Sequence, residues 1–278
     1  MLKKRFITAL WLIPLTVAVV WFDKPLPWFT IFVAVWGGLA VLEFYRLVTA
    51  SRITPLTYFG LTLTLLFILS RDTDLLSILR PHISPDLLTP LLLTSTVLLS
   101  LIWLLLCRQK ENAFASWAWT MAGILYMGWL LSYLVALRGM DNGQNWVFFA
   151  LATNSASDTA AFFTGRAIGR HRLAPHISPS KTWEGTIGGL LGAIIVGLFF
   201  ILPTPLSLPF NWWQAILLGL LVSIFGQLGD LVESLFKRNM GVKDASQLLP
   251  GHGGILDRID SVVFAGVVVY YYVVWAIL

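Results

Sequence analysis

SIFGQLGDLVESLFK, Ser223–Lys237, decides how the rest of the chain is read. Its polar positions Ser223, Gln227, Asp230, Ser234 and Lys237 recur at intervals of four, three, four and three residues. That spacing places them on one face of an α-helix. The opposite face is Leu, Val, Ile and Phe, suited to lipid, so the stripe implies a wet groove cut into a membrane helix. An ionisable group inside a span costs about 2.5–3.5 kcal/mol on insertion scales and is expected to face protein or water, where it marks a site. Asp230 is the clearest such group.

The surrounding chain fits this reading. Its 278 residues are 57% hydrophobic and 12% charged, with a mean hydropathy of +0.79, outside the range of soluble globular proteins. The expected fold is all-α, a polytopic integral membrane helical bundle. A hydrocarbon core about 30 Å thick needs roughly 20 helical residues. Nine segments of about that length are candidates, 6–22, 26–48, 54–70, 87–107, 114–137, 146–165, 185–202, 211–233 and 260–277, and because the third and seventh are short the count expected is eight to ten. The opening MLKKR and the apolar run after it are expected to form an uncleaved first span, because the run is long and no small-residue cleavage site follows. Cys107 is the one cysteine, which rules out an intramolecular disulfide and a cysteine metal site.

Charge supplies the orientation. With nine spans and a cytoplasmic N-terminus, fifteen of the 19 basic residues fall inside: Lys3, Lys4, Arg5, Arg46, Arg52, Arg108, Lys110, Arg166, Arg170, Arg172, Lys181, Lys237, Arg238, Lys243 and Arg258. The positive-inside rule favours that topology. The net charge of +5 is then a matter of membrane orientation and not of nucleic acid. Residues 1–140 read as N-terminal transmembrane helices forming a scaffold. Residues 141–278 read as a C-terminal transmembrane catalytic region with cytoplasmic loops 166–184 and 234–259. With no internal repeat, an inverted-repeat transporter gains no support.

Other polar groups lie at membrane depth. Asn154 and Asp158 stand one turn apart in LATNSASDTAAFFTGR, either as part of a site or as interhelical hydrogen-bonding groups. Gly185, Gly188, Gly189 and Gly192 form overlapping small-residue pairs, read as helix packing.

The stretch SLFKRNMGVKDASQLLPGHGGILDRIDS, Ser234–Ser261, concentrates Lys237, Arg238, Lys243, Asp244, His252, Asp257, Arg258 and Asp260 between two apolar runs. Asp257 and Asp260, three apart at a helix start, point the same way. Converging with Asp230, they would suit a hard divalent cation such as Mg²⁺. Glycines 251, 253 and 254 around His252 permit a phosphate cradle, and Lys237, Arg238, Lys243 and Arg258 add cations for phosphate. Each piece has a plainer reading. Arg170 and Arg172 also suit anionic headgroups, His252 could bond its own loop, and Arg258 could pair locally with Asp260.

Ser234-Leu-Phe-Lys237-Arg238, Lys243-Asp244, Ser246, Leu249-Pro-Gly-His252-Gly-Gly254 and Asp257-Arg-Ile-Asp260 resemble throughout the signature of the phosphatidate cytidylyltransferases, or CDP-diacylglycerol synthases. SPSKTWEG, Ser178–Gly185, and the preceding NSASDTAAFFTGRAIGRHRLAP are also similar to that family. The resemblance covers the C-terminal half; residues 1–140 agree only in being apolar spans. It implies transfer of CMP from CTP to phosphatidic acid at the cytoplasmic face of a bacterial inner membrane, with Mg²⁺ required and room for a second cation. On this resemblance Asp230 and Asp257 bind metal, with Asp260 a ligand or orienter. Lys237, Arg238 and Lys243 neutralise phosphates, and His252 joins the catalytic group. Ser180, Lys181, Thr182, Asp158, Asp244 and Arg258 contact substrate, with Glu184 a weaker candidate, although Ser178–Thr182 also reads as a capping turn. The partners expected are CTP, phosphatidic acid, membrane lipid and a second copy of the chain in a homodimer. Two rivals fare worse. An ion-coupled transporter would place its binding groups near the midplane, and the CDP-alcohol phosphatidyltransferase pattern is absent.

Overall fold

The computed structural model describes residues 2–24, 26–79, 85–106, 112–248 and 253–277. The helices are α1 (Leu2–Trp21), α2 (Trp28–Ala50), α3 (Thr57–Leu69), α4 (Thr73–Leu79), α5 (Pro85–Leu106), α6 (Ala113–Gly123), α7 (Leu131–Arg138), α8 (Gly143–Ile168), α9 (Trp183–Phe199), α10 (Trp212–Asn239) and α11 (Leu256–Ala276). A π-helical turn, Ile124–Leu130, joins α6 to α7. Each of the nine apolar segments falls on a helix. Among the described residues, five helical stretches are long and apolar enough to cross a membrane: Trp28–Ala50, Leu87–Leu106, Ala113–Arg138, Trp212–Asn239 and Leu256–Ala276. α8 has the length, with 26 residues, but Thr153, Asn154, Ser155, Ser157, Asp158 and Thr159 dilute its apolarity.

Three elements depart from the sequence expectation, each for a local reason. The loop after α8 is an antiparallel hairpin, β1 (Arg172–Ala174) with β2 (Ser178–Thr182), pairing Arg172 with Thr182 and Ala174 with Ser178. Pro175 and Pro179 bar a helix there, since each lacks an N–H and restricts the residue before it. α10 runs past residue 233 to Asn239, where Lys237 and Arg238 complement the negative end of the helix dipole. α4 forms where only a connection was expected, its start capped by Asp72 Oδ1 accepting from Leu75 N at 2.9 Å.

The chain divides into two compact units, Met1–Gly139 with Asp244–Asp257, and Met140–Lys243 with Arg258–Leu278. In the first, Tyr45 is buried between Gly60 of α3 and Gly123 of α6, where any Cβ would strike its ring, and its hydroxyl donates to Thr120 O at 2.8 Å. In the second, α8 and α9 pack through small residues. A Cβ on Gly192 would come within 2.6 Å of Ala160 Cβ, and one on Gly188 would strike Thr164, so those glycines serve helix packing. Trp146, Phe149, Phe200 and Phe210 form an aromatic cluster with ring centroids 5.2–6.2 Å apart. Rows of exposed apolar side chains, such as Leu91, Leu98 and Leu105 on α5 and Ile187, Leu191 and Ile195 on α9, suit a lipid surrounding.

Candidate active site

The polar stripe of α10 meets polar faces of α8 and α11 inside the second unit. Gly226 and Gly229 let them approach. A Cβ at Gly226 would strike the Asn154 amide oxygen of α8, and one at Gly229 would lie 2.6 Å from Asp260 O of α11. Close approach lets short side chains join hands. Asn154 Nδ2 donates to Ser261 Oγ at 2.9 Å, and both groups reach Asp158 Oδ2 at 3.5 Å. Ser157 and Ser223 hydroxyls bond at 2.7 Å, and Gln227 Nε2 donates to Ser223 Oγ at 3.0 Å.

At the far end of this network three acids gather. Asp230, Glu233 and Asp260 bring one carboxylate oxygen each within 4.8 Å of one another. Glu233 and Asp260 are buried, at 1% and 7% exposure. Like charges so close repel, and two lysines offset them. Lys181 Nζ of β2 lies 2.7 Å from Asp230 Oδ2 and 3.4 Å from Gln227 O. Lys237 Nζ lies 2.6 Å from Glu233 Oε2, one helical turn away. Ser234 Oγ donates to Asp230 Oδ1 at 3.3 Å, and Ser261 N to Asp260 Oδ1 at 2.7 Å. Three carboxylates against two ammonium groups leave one formal negative charge. All the acidic donors are hard oxygens, a set that fits Mg²⁺ and not a soft metal.

The hairpin is fixed at both ends. Thr182 caps α9, its Oγ1 accepting from Gly185 N at 3.1 Å, as the capping reading of this stretch anticipates. Arg238 Nε donates to Ile177 O at 3.2 Å and its Nη1 to Val242 O at 3.3 Å, tying the end of α10 to the hairpin. Glu184 holds His171, Oε1 to Nδ1 2.7 Å. Ser180, Lys243, Asp158, Asp244 and Arg258 are exposed.

Of the expected ligands, Asp230 and Asp260 share the acidic cluster. Asp257 belongs to the first unit, where its Oδ2 accepts from Gly254 N at 2.7 Å and Ala245 N at 3.0 Å. Gly253 there has φ +83°, and a Cβ on it would come 2.8 Å from Asp257 Oδ2, so glycine is required twice over. His252 lies outside the described residues. Glu233 was missed by the sequence reading although it stands three residues after Asp230, at helical spacing on the same stripe. Glu43 of α2 was missed as well: 8% exposed, it accepts from Ser246 Oγ at 2.5 Å and Leu256 N at 2.9 Å.

A cytidylyltransferase family model matches residues 3–276. The chain is 34% identical over 249 residues to a phosphatidate cytidylyltransferase of Bacillus subtilis, covering 87% of each. It is 40% identical over 192 residues to one of Staphylococcus haemolyticus, covering 68% of this chain and 72% of that one. Against one of Brucella suis it is 44% identical over 153 residues, covering 55% and 56%.

Proposed function

The chain belongs to the cytidylyltransferase family, and we infer that it transfers CMP from CTP to phosphatidic acid, giving CDP-diacylglycerol and pyrophosphate. The observation that carries the reading to residues is the acidic cluster of Asp230, Glu233 and Asp260 with Lys181 of the hairpin bound to it. An oxygen of the lipid phosphate attacks the α-phosphorus of CTP. The new P–O bond forms as the bond to the β-phosphate oxygen breaks, and pyrophosphate leaves. The nucleophile is already anionic, so no strong general base is needed, and catalysis rests on positioning and charge neutralisation.

In this reading Asp230, Asp260 and Glu233 would hold Mg²⁺, the family signature gives Asp257 as a further candidate ligand, and the carboxylate count leaves room for a second cation. A bound ion would offset phosphate charge and orient phosphate oxygens. Lys181 would serve the triphosphate, held ready by Asp230, while exposed Ser180, Lys243 and Arg258 reach for phosphate and Asp244 for the nucleotide. Arg238 would hold the hairpin against α10, and Lys237 would balance Glu233. Asp158 would orient the polar groups beside it, and His252 would bond phosphate from the glycine segment. Nine spans, a cytoplasmic N-terminus and a site opening to the cytoplasm of a bacterial inner membrane complete the proposal. The positive charge distribution supports it, and so does the cytosolic location of CTP.

Purified protein in detergent with CTP, phosphatidic acid and Mg²⁺ is expected to release pyrophosphate, and chelating the metal should stop the release. Release that does not require phosphatidic acid overturns the assignment. For orientation, a cysteine at Lys243 in a Cys107→Ser background should react with an impermeant reagent only in inverted vesicles.

A further inference from the structure

Two carboxylates clasp the ends of the signature segment in the first unit, and only one of them belongs to that segment. Asp257 Oδ2 accepts from Ala245 N at the entry and from Gly254 N at the exit. Glu43, from α2, accepts from Ser246 Oγ at the entry and from Leu256 N at the exit, across 203 and 213 residues of sequence. Each acid therefore bridges the same two strands of chain. Ser246 Oγ in turn accepts from Leu248 N at 3.1 Å, which extends the clasp into the segment.

The fit is tight on the side of Glu43. A Cβ at Gly254 would lie 2.5 Å from Glu43 Oε2 and 2.9 Å from Oε1. A glycine stands there because the carboxylate occupies the space. Leu256 is the first residue of α11, so its amide is one of the helix donors with no partner inside the helix. Glu43 satisfies that donor and places a negative charge at the positive end of the helix dipole. An acid buried in an apolar helix is expensive unless its oxygens find donors. The signature segment supplies them.

We propose that Glu43 is a positioning residue for cytidylyl transfer: by holding Ser246 and Leu256 it sets the start of α11, the helix that carries Asp257 and Asp260. The proposal rests on the metal-site reading given above and adds to it an acid from the N-terminal half of the chain.

The test uses the full-length enzyme in detergent, with kcat, KM for each substrate, Mg²⁺ dependence and thermal midpoint measured together. Wild-type protein that fails to release pyrophosphate would sink the function reading before this one is reached. With active wild type, Glu43→Ala is expected to lower kcat by about 10- to 100-fold and to raise the Mg²⁺ concentration for half-maximal rate, as loss of a partner behind metal ligands does. KM for phosphatidic acid should stay within about twofold. Glu43→Gln, which can still accept from Leu256 N and donate to Ser246 Oγ, should recover most of the rate and covers the case in which the alanine variant does not fold. Gly254→Ala should cost activity in wild type and nothing further in the Glu43→Ala background, because the group it strikes is gone. Equal Gly254→Ala losses in both backgrounds overturn the proposal. So does a Glu43→Ala enzyme, or a Glu43→Gln enzyme where alanine fails to fold, that melts lower yet keeps the wild-type kcat and Mg²⁺ dependence.

Discussion

The two compact units bury acids in opposite ways. In the first, Glu43 and Asp72 are each 8% exposed and are satisfied by neutral donors: Ser246 Oγ and Leu256 N for one, Thr30 Oγ1 at 2.5 Å and Leu75 N for the other. In the second, Asp230, Glu233 and Asp260 crowd against one another and are balanced only in part by two lysines. Neutral donors occupy an acid's lone pairs from fixed points on the chain, so the first arrangement holds chain in place. Crowded acids keep an unbalanced charge at the expense of stability, an arrangement of use to a ligand that brings countercharge.

The sharpest way to break this contrast is Asp230→Asn. It removes charge from the crowded cluster and should cut pyrophosphate release by on the order of 10²- to 10³-fold, while the thermal midpoint holds or rises as repulsion is relieved. A parallel fall in activity and midpoint would mean the cluster is structural. Lys237→Ala should act in the other direction. Glu233 would be left buried beside two other acids, and loss of one partner of a buried pair costs about 3–5 kcal/mol. Adding Glu233→Gln to that variant should restore much of the midpoint, and a double variant no more stable than the single would count against the pairing. The smallest effect belongs to the first unit. Thr30→Val should cost about 1.5–3 kcal/mol, the worth of a hydrogen bond to a charged group, with kcat unchanged once folded protein is normalised.

Much of this was open to reading along the chain. Helices follow from apolar runs bounded by charge and proline, and the α10 stripe from its spacing. Two of the three clustered acids, Asp230 and Asp260, were singled out on sequence. Glu233 is within reach of the same spacing rule, three residues after Asp230 and four before Lys237, beside Ser234 in the stripe. Glu43 carried a weaker signal, an acid inside an apolar span, but nothing local ties it to Ser246 or Leu256. The hairpin is not legible in the sequence because three- and five-residue strands leave little periodicity, and its two prolines say only what cannot form there. Thr182 was read both as substrate contact and as cap; its bond to Gly185 N shows the cap.

Sequence alone determined the apolar helices, the membrane character and the family, because periodicity, hydropathy and a dense motif are properties of neighbouring residues. Tertiary structure alone decided which acids share space and which are tied off by neutral donors. Asp257 and Asp260 look equivalent three residues apart, yet one accepts two backbone amides of its own loop and the other faces Asp230 and Glu233. That distinction depends on what helix packing brings within a few ångströms, and hydrogen bonding and charge repulsion act over just that range.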